Sequence, residues 1–70
     1  MFDKVCIIGC GLIGSSIVRA IDKKGLSKEI SIFDKSKDVM SFMKNNFSVI
    51  ASNNLNEAVK DASLVIISTP

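Results

Sequence analysis

The chain has 70 residues, 47% of them hydrophobic, and a formal charge of +2 from nine basic and seven acidic side chains. That leaves room for at most one small domain, burying about 60% of the surface its unfolded chain exposes, and it is too apolar for disorder. The lysines are scattered and there is no Tyr or Trp to stack on bases, so a nucleic-acid partner is not expected. No apolar run is longer than Leu64-Val65-Ile66-Ile67, which falls far short of the roughly 20 residues a membrane span requires. A first strand that starts almost at Met1 leaves no leader with a basic start and a long apolar stretch. The expectation is a soluble cytoplasmic protein with no membrane partner.

In chain order, Val5-Cys6-Ile7-Ile8 is a continuous apolar run closed by Gly9, as for a strand buried on both faces. A helix is predicted from Leu12 to Lys24, with Ile13, Ile17, Ala20 and Ile21 on one stripe. Lys23 and Lys24 suit the negative end of its dipole, and Gly25 suits a left-handed cap. Ile30-Ser31-Ile32-Phe33 is the second strand, ending at Asp34. Ser36 is a candidate N-cap for a second helix in which Val39, Met40, Met43 and Phe47 share a face. A short third strand is placed around Ser48–Ala51. Asn54 followed by Glu57 resembles a capping box, opening a helix through about Lys60. Leu64–Ser68 is the fourth strand, stopped by Thr69-Pro70.

Cys6 and Cys10 are four residues apart in a chain without histidine. They are too few to hold zinc, and a structural disulfide is not expected in a cytosolic protein. Cys6 reads as a small buried hydrophobe. Cys10 stands between loop glycines, where its backbone matters more than its sulfur. A catalytic role for Ser15 or Ser16 would need a base, and no histidine is present.

Strand–helix alternation implies parallel strands joined by right-handed crossovers. The fold class expected is therefore α/β: a partial Rossmann fold with a parallel sheet of about four strands, in the order 3-2-1-4, and flanking helices. In that order the fourth strand lies beside the first, and ligands bind where the order reverses. Gly9–Gly14 and Ser68-Thr69-Pro70 should then face each other across one crevice. The outer edge of the fourth strand is apolar, with no further strand in this sequence to cover it. The chain is thus expected to be the N-terminal part of a longer protein, or to be completed by something else.

Gly9-Cys10-Gly11-Leu12-Ile13-Gly14 is a G-x-G-x-x-G pattern that follows an apolar strand directly and opens an amphipathic helix. Gly9 permits the tight turn, Gly11 leaves space for a pyrophosphate, and Gly14 lets the helix pack close to the strand. The N–H groups of Leu12 and Ile13 would point at phosphate oxygens from the helix N-terminus. Asp34, twenty residues beyond Gly14, stands where a carboxylate accepts from adenosine ribose hydroxyls. It would repel a 2′-phosphate, so NAD is expected rather than NADP, although Lys35 beside it could partly accommodate that phosphate. Ser68, Thr69 and Pro70 either line the cofactor crevice or simply end a strand, and no metal is expected.

Ile7-Ile8-Gly9-Cys10-Gly11-Leu12-Ile13-Gly14-Ser15-Ser16 resembles the N-terminus of the prephenate dehydrogenase family, which includes arogenate and cyclohexadienyl dehydrogenases. Phe33-Asp34-Lys35-Ser36, Asn56–Ala62 and Leu64–Pro70 follow in the same order as in that family. The resemblance spans the whole chain, but only about the first quarter of such an enzyme. It implies NAD-dependent oxidative decarboxylation of prephenate or arogenate on the way to tyrosine, by a protein expected to be a homodimer. The family's substrate-binding histidine and arginine lie further along, in a C-terminal catalytic and dimerisation domain. This chain has no histidine, and its single arginine, Arg19, falls inside the first helix. No catalytic residue is therefore assigned, and the chain alone should not turn over substrate.

Pyrroline-carboxylate reductases and β-hydroxyacid dehydrogenases share the same opening. The NAD-sensing modules of potassium-uptake systems also do, but they usually place Gly-Asp after strand 3, where this chain has Ala51-Ser52-Asn53. FAD-binding halves commonly end strand 2 with glutamate, where this chain has Asp34.

Overall fold

The structure, a computed structural model, describes residues 1–52 and 54–68. Its elements alternate as β1 (Phe2–Ile8), α1 (Leu12–Lys24), β2 (Ser27–Phe33), α2 (Lys37–Asn46), β3 (Ile50–Ala51), α3 (Leu55–Val59) and β4 (Leu64–Ile67). The four strands form one parallel sheet in the order β3-β2-β1-β4. This is the doubly wound arrangement expected from the alternation, and the order reverses between β1 and β4.

Register sorts the side chains onto two faces. Val5 pairs with Ile30 and Ile7 with Ile32, and these four residues are buried beneath Val18 and Ile21 of α1 and Met43 of α2. The intervening pair, Cys6 and Ser31, belongs to the opposite face, because successive residues of a strand alternate. There α3 covers the sheet through the buried Ala58, whose carbonyl accepts from the Ser31 hydroxyl at 2.7 Å.

Local signals account for most boundaries. Ser36 Oγ accepts from Val39 N, and Asn54 Oδ1 from Glu57 N, so both anticipated N-caps form. Gly25 ends α1 in the left-handed region at φ 62, following Lys23 and Lys24 in the last turn. Val39, Met40 and Met43 do share the inner face of α2, and Phe47, the extended C-cap just beyond the helix, packs against the same core.

Three expectations are corrected. The buried stripe of α1 is Gly14, Val18 and Ile21 with Ile17 at its margin, whereas Ile13 and Ala20 are exposed. The helix turns Gly14 toward the strand because only that residue tolerates the close approach, and this carries Ile13 outward. β1 and β2 begin earlier than their apolar runs, at Phe2 and Ser27, because backbone pairing between the two continues through exposed side chains. β3 keeps only Ile50 and Ala51: Phe47 N–H closes α2 on Met43 O, and Val49 N–H bonds Phe47 O, so Ser48 and Val49 form the turn out of the helix.

Candidate functional site

The glycine turn is stitched into the sheet on two sides. Gly9 takes φ 83, a conformation that glycine adopts without steric cost, and its N–H donates to Phe33 O at 2.9 Å. Cys10 N–H donates to Asp34 Oδ2 at 2.8 Å, tying the turn to the tip of β2. On the β4 side, Ser68 N–H donates to Ile8 O at 2.8 Å, and the Ser68 hydroxyl donates to Gly9 O. The Ser15 hydroxyl reaches back to Cys10 O at 3.0 Å.

Gly14 explains why the spacing of the glycines matters. A Cβ built there would lie 2.4 Å from Gly9 O and 3.0 Å from Ser68 Oγ, so no side chain fits without moving the turn. At Gly11 a Cβ would meet nothing within 4 Å, so the space above it is open to an approaching group. Gly11 caps α1 without a side-chain hydrogen bond, and the first turn holds no acidic residue. The N–H groups of Leu12 and Ile13 therefore stand at an uncapped, electropositive helix end, an arrangement suited to phosphate oxygens.

Asp34 is held by two backbone donors, Cys10 N–H on Oδ2 and Ser36 N–H on Oδ1, both at 2.8 Å. A carboxylate offers about four lone-pair positions, so acceptor capacity remains on both oxygens for a diol. Lys35 beside it is exposed. Cys10 is buried, and its thiol is pushed up to about 11, first by that burial and then by the neighbouring Asp34 carboxylate. A thiol so placed stays protonated near neutrality and is a poor nucleophile, while its N–H does the structural work expected of that position. Cys6 is buried as well.

These residues border one open cleft of about 710 Å³. Gly9, Gly11, Leu12 and Ile13 form one side, Asp34 and Lys35 another, and Ser68 the wall toward β4. Of the residues singled out in the sequence, Gly14 lies beneath this floor rather than in it. Thr69 and Pro70 lie outside the described residues. Sequence reasoning missed Ile8, Phe33 and Leu55, which give the cleft an apolar side. Strand alternation carried the signal for the first two, as the last residues of β1 and β2 on the α3 face. Leu55 follows the Asn54 cap and is 45% exposed; nothing local announced its place in the cleft.

Among the described residues there is no cluster of three or more His, Cys, Asp or Glu able to hold a metal, and no helix is long and apolar enough to cross a membrane. Fold and turn together define a Rossmann-type dinucleotide-binding unit. Residues 4–70 match the family described as NADP oxidoreductase, coenzyme F420-dependent, and the chain belongs to that family. It is also similar to a cyclohexadienyl dehydrogenase of Zymomonas mobilis subsp. mobilis, at 34% identity over 71 aligned positions that cover all of this chain and 24% of that protein. The chain thus spans about a quarter of the length of the curated relative it matches. No solved structure matches it significantly.

Proposed function

We propose that the chain is the NAD-binding part of a prephenate-type dehydrogenase. The observation that carries this reading is the uncapped first turn of α1, held open above Gly11 and fixed beside the Asp34 carboxylate. In this reading the N–H groups of Leu12 and Ile13 bind the cofactor's pyrophosphate, and Gly9, Gly11 and Gly14 shape the turn that presents them. Asp34 accepts from the adenosine ribose hydroxyls with its remaining lone pairs, with Lys35 flanking it. Ser68 forms the opposite wall. Asp34 favours NAD, because a second anion against a carboxylate is repelled.

The substrate assignment is supported by the similarity to cyclohexadienyl dehydrogenase over the whole chain. The intact protein would oxidise and decarboxylate prephenate or arogenate, passing hydride to NAD and releasing carbon dioxide, in tyrosine biosynthesis. The groups that hold the substrate would come from a further domain, which would also form a homodimer in the cytoplasm. Bound NAD supplies the hydride acceptor; the residues of this chain orient it.

Titration calorimetry with NAD tests the cofactor reading. Gly11→Val, which fills the open space above the turn, should abolish measurable binding. Asp34→Ala should weaken it by about tenfold through loss of charge-assisted hydrogen bonds to the ribose. Equal affinity in wild type and both variants would refute the assignment.

A further inference from the structure

The methionines of this chain sit in three different environments. Met1 is exposed and Met43 is fully buried in the core. Met40 is half-buried: it packs against that core and also lines a second cleft of about 490 Å³, bordered by α2 and the ends of β2 and β3. Both sulfurs of α2 accept hydrogen bonds. Met43 Sδ takes the Ser15 hydroxyl at 3.3 Å, and Met40 Sδ takes the Asp34 N–H at 3.2 Å. The second bond closes the turn between β2 and α2, because Asp34 directly follows the strand. Asp34 is therefore fixed at three points: its carboxylate by the N–H groups of Cys10 and Ser36, and its own N–H by the Met40 sulfur.

We propose that Met40 is a redox modification site, where a peroxide arriving through the second cleft forms the sulfoxide, frees Asp34 and weakens nucleotide binding. The inference rests on the reading of Asp34 as the ribose acceptor and adds a regulation of that site. A thioether sulfur has two lone pairs, and the Asp34 N–H occupies one of them. The other attacks one oxygen of hydrogen peroxide. An S–O bond forms, the O–O bond breaks, and the departing hydroxide takes the proton of the transferred oxygen and leaves as water. Sulfur is oxidised by two electrons and the peroxide is reduced by two. The lone pair left facing Asp34 then belongs to a sulfur bearing partial positive charge, which is a much poorer acceptor. The new oxygen is polar and costs free energy against the core, so the side chain turns toward the cleft and water. The Asp34 N–H loses its partner, and the carboxylate it helps to place loses definition. The thiols do not compete, because Cys6 and Cys10 are both buried and Cys10 stays protonated near neutrality.

The test treats the chain with hydrogen peroxide, locates added oxygen by peptide mass spectrometry and follows NAD affinity by calorimetry. Met1 and Met40 should be oxidised well before Met43, and affinity should fall by about fivefold or more as Met40 converts. In the same samples the Asp34 amide should exchange faster with solvent, while circular dichroism stays native. Methionine sulfoxide reductases should restore the affinity and dithiothreitol alone should not, which separates sulfoxide from thiol oxidation. Met40→Leu keeps the apolar volume but lacks the sulfur, so its NAD affinity should not respond to peroxide although Met1 is still oxidised. Oxidation of Met43 ahead of Met40, or unchanged affinity with Met40 fully oxidised, overturns this proposal alone. Equal peroxide sensitivity in Met40→Leu, or global unfolding on oxidation, overturns it too. Absence of NAD binding by the untreated wild type overturns the ribose reading and this proposal with it.

Discussion

The two faces of the sheet are built on different principles. On the face covered by α1 and α2, Val5, Ile7, Ile30, Ile32, Val18 and Met43 interlock as an apolar core. On the other face the five residues of α3 do the covering, the close contact is a hydroxyl–carbonyl bond, and Val65 and Ile67 of β4 stay 40% and 69% exposed. Stability is thus concentrated on one face, while the cleft draws Ile8, Phe33 and Leu55 from the other. The lesson is a division of labour: the face that holds the sheet together is the one whose helix presents its N-terminus to the cleft.

Substitutions ranked by expected effect can break or sharpen that contrast. Ile32→Ala empties a fully buried position under both long helices and should destabilise by about 2–5 kcal/mol. A domain of this size holds only on the order of 5 kcal/mol, so urea unfolding should show most molecules near the midpoint already in dilute denaturant. Gly14→Ala forces a methyl onto the Gly9 carbonyl and should lose about 1–3 kcal/mol. Because that same carbonyl belongs to the turn, NAD affinity should fall in parallel, which calorimetry would read.

On the α3 face the effects should be smaller. Ser31→Ala removes the donor to Ala58 O and leaves a buried carbonyl unpaired, a loss of about 1 kcal/mol in urea unfolding. Ile67→Ala should change stability by less than about 0.5 kcal/mol, since the side chain is largely in water. If Ile67→Ala proved as damaging as Ile32→Ala, the contrast between the faces would collapse.

Much of this was legible because it is encoded locally. Gly9, Gly25, Ser36 and Asn54 punctuate the chain at positions where backbone geometry or an unpaired N–H demands those residues, so α1 was bounded to the residue. Strand order followed from alternation and crossover handedness. The stripe of α1 was misjudged because apolarity alone favoured Ile13, whereas the rotation of the helix is set by Gly14 meeting Gly9. The bond from Cys10 N–H to Asp34 and the place of Leu55 in the cleft were beyond reach, because both depend on how distant elements assemble. The second bond on Asp34, from Ser36 N–H, is a local turn contact two residues along the chain.

The stitching of the glycine turn has a consequence for how quickly a ligand could be captured. Gly9 and Cys10 are bonded to β2, and Ser68 is bonded to the turn from β4, so the turn is ordered before anything arrives. A ligand seated there would bear little of the conformational-entropy penalty of ordering a loop. Association observed by stopped flow should then be a single concentration-dependent phase, without a slow rearrangement, and affinity differences among variants should reside in how long the ligand stays.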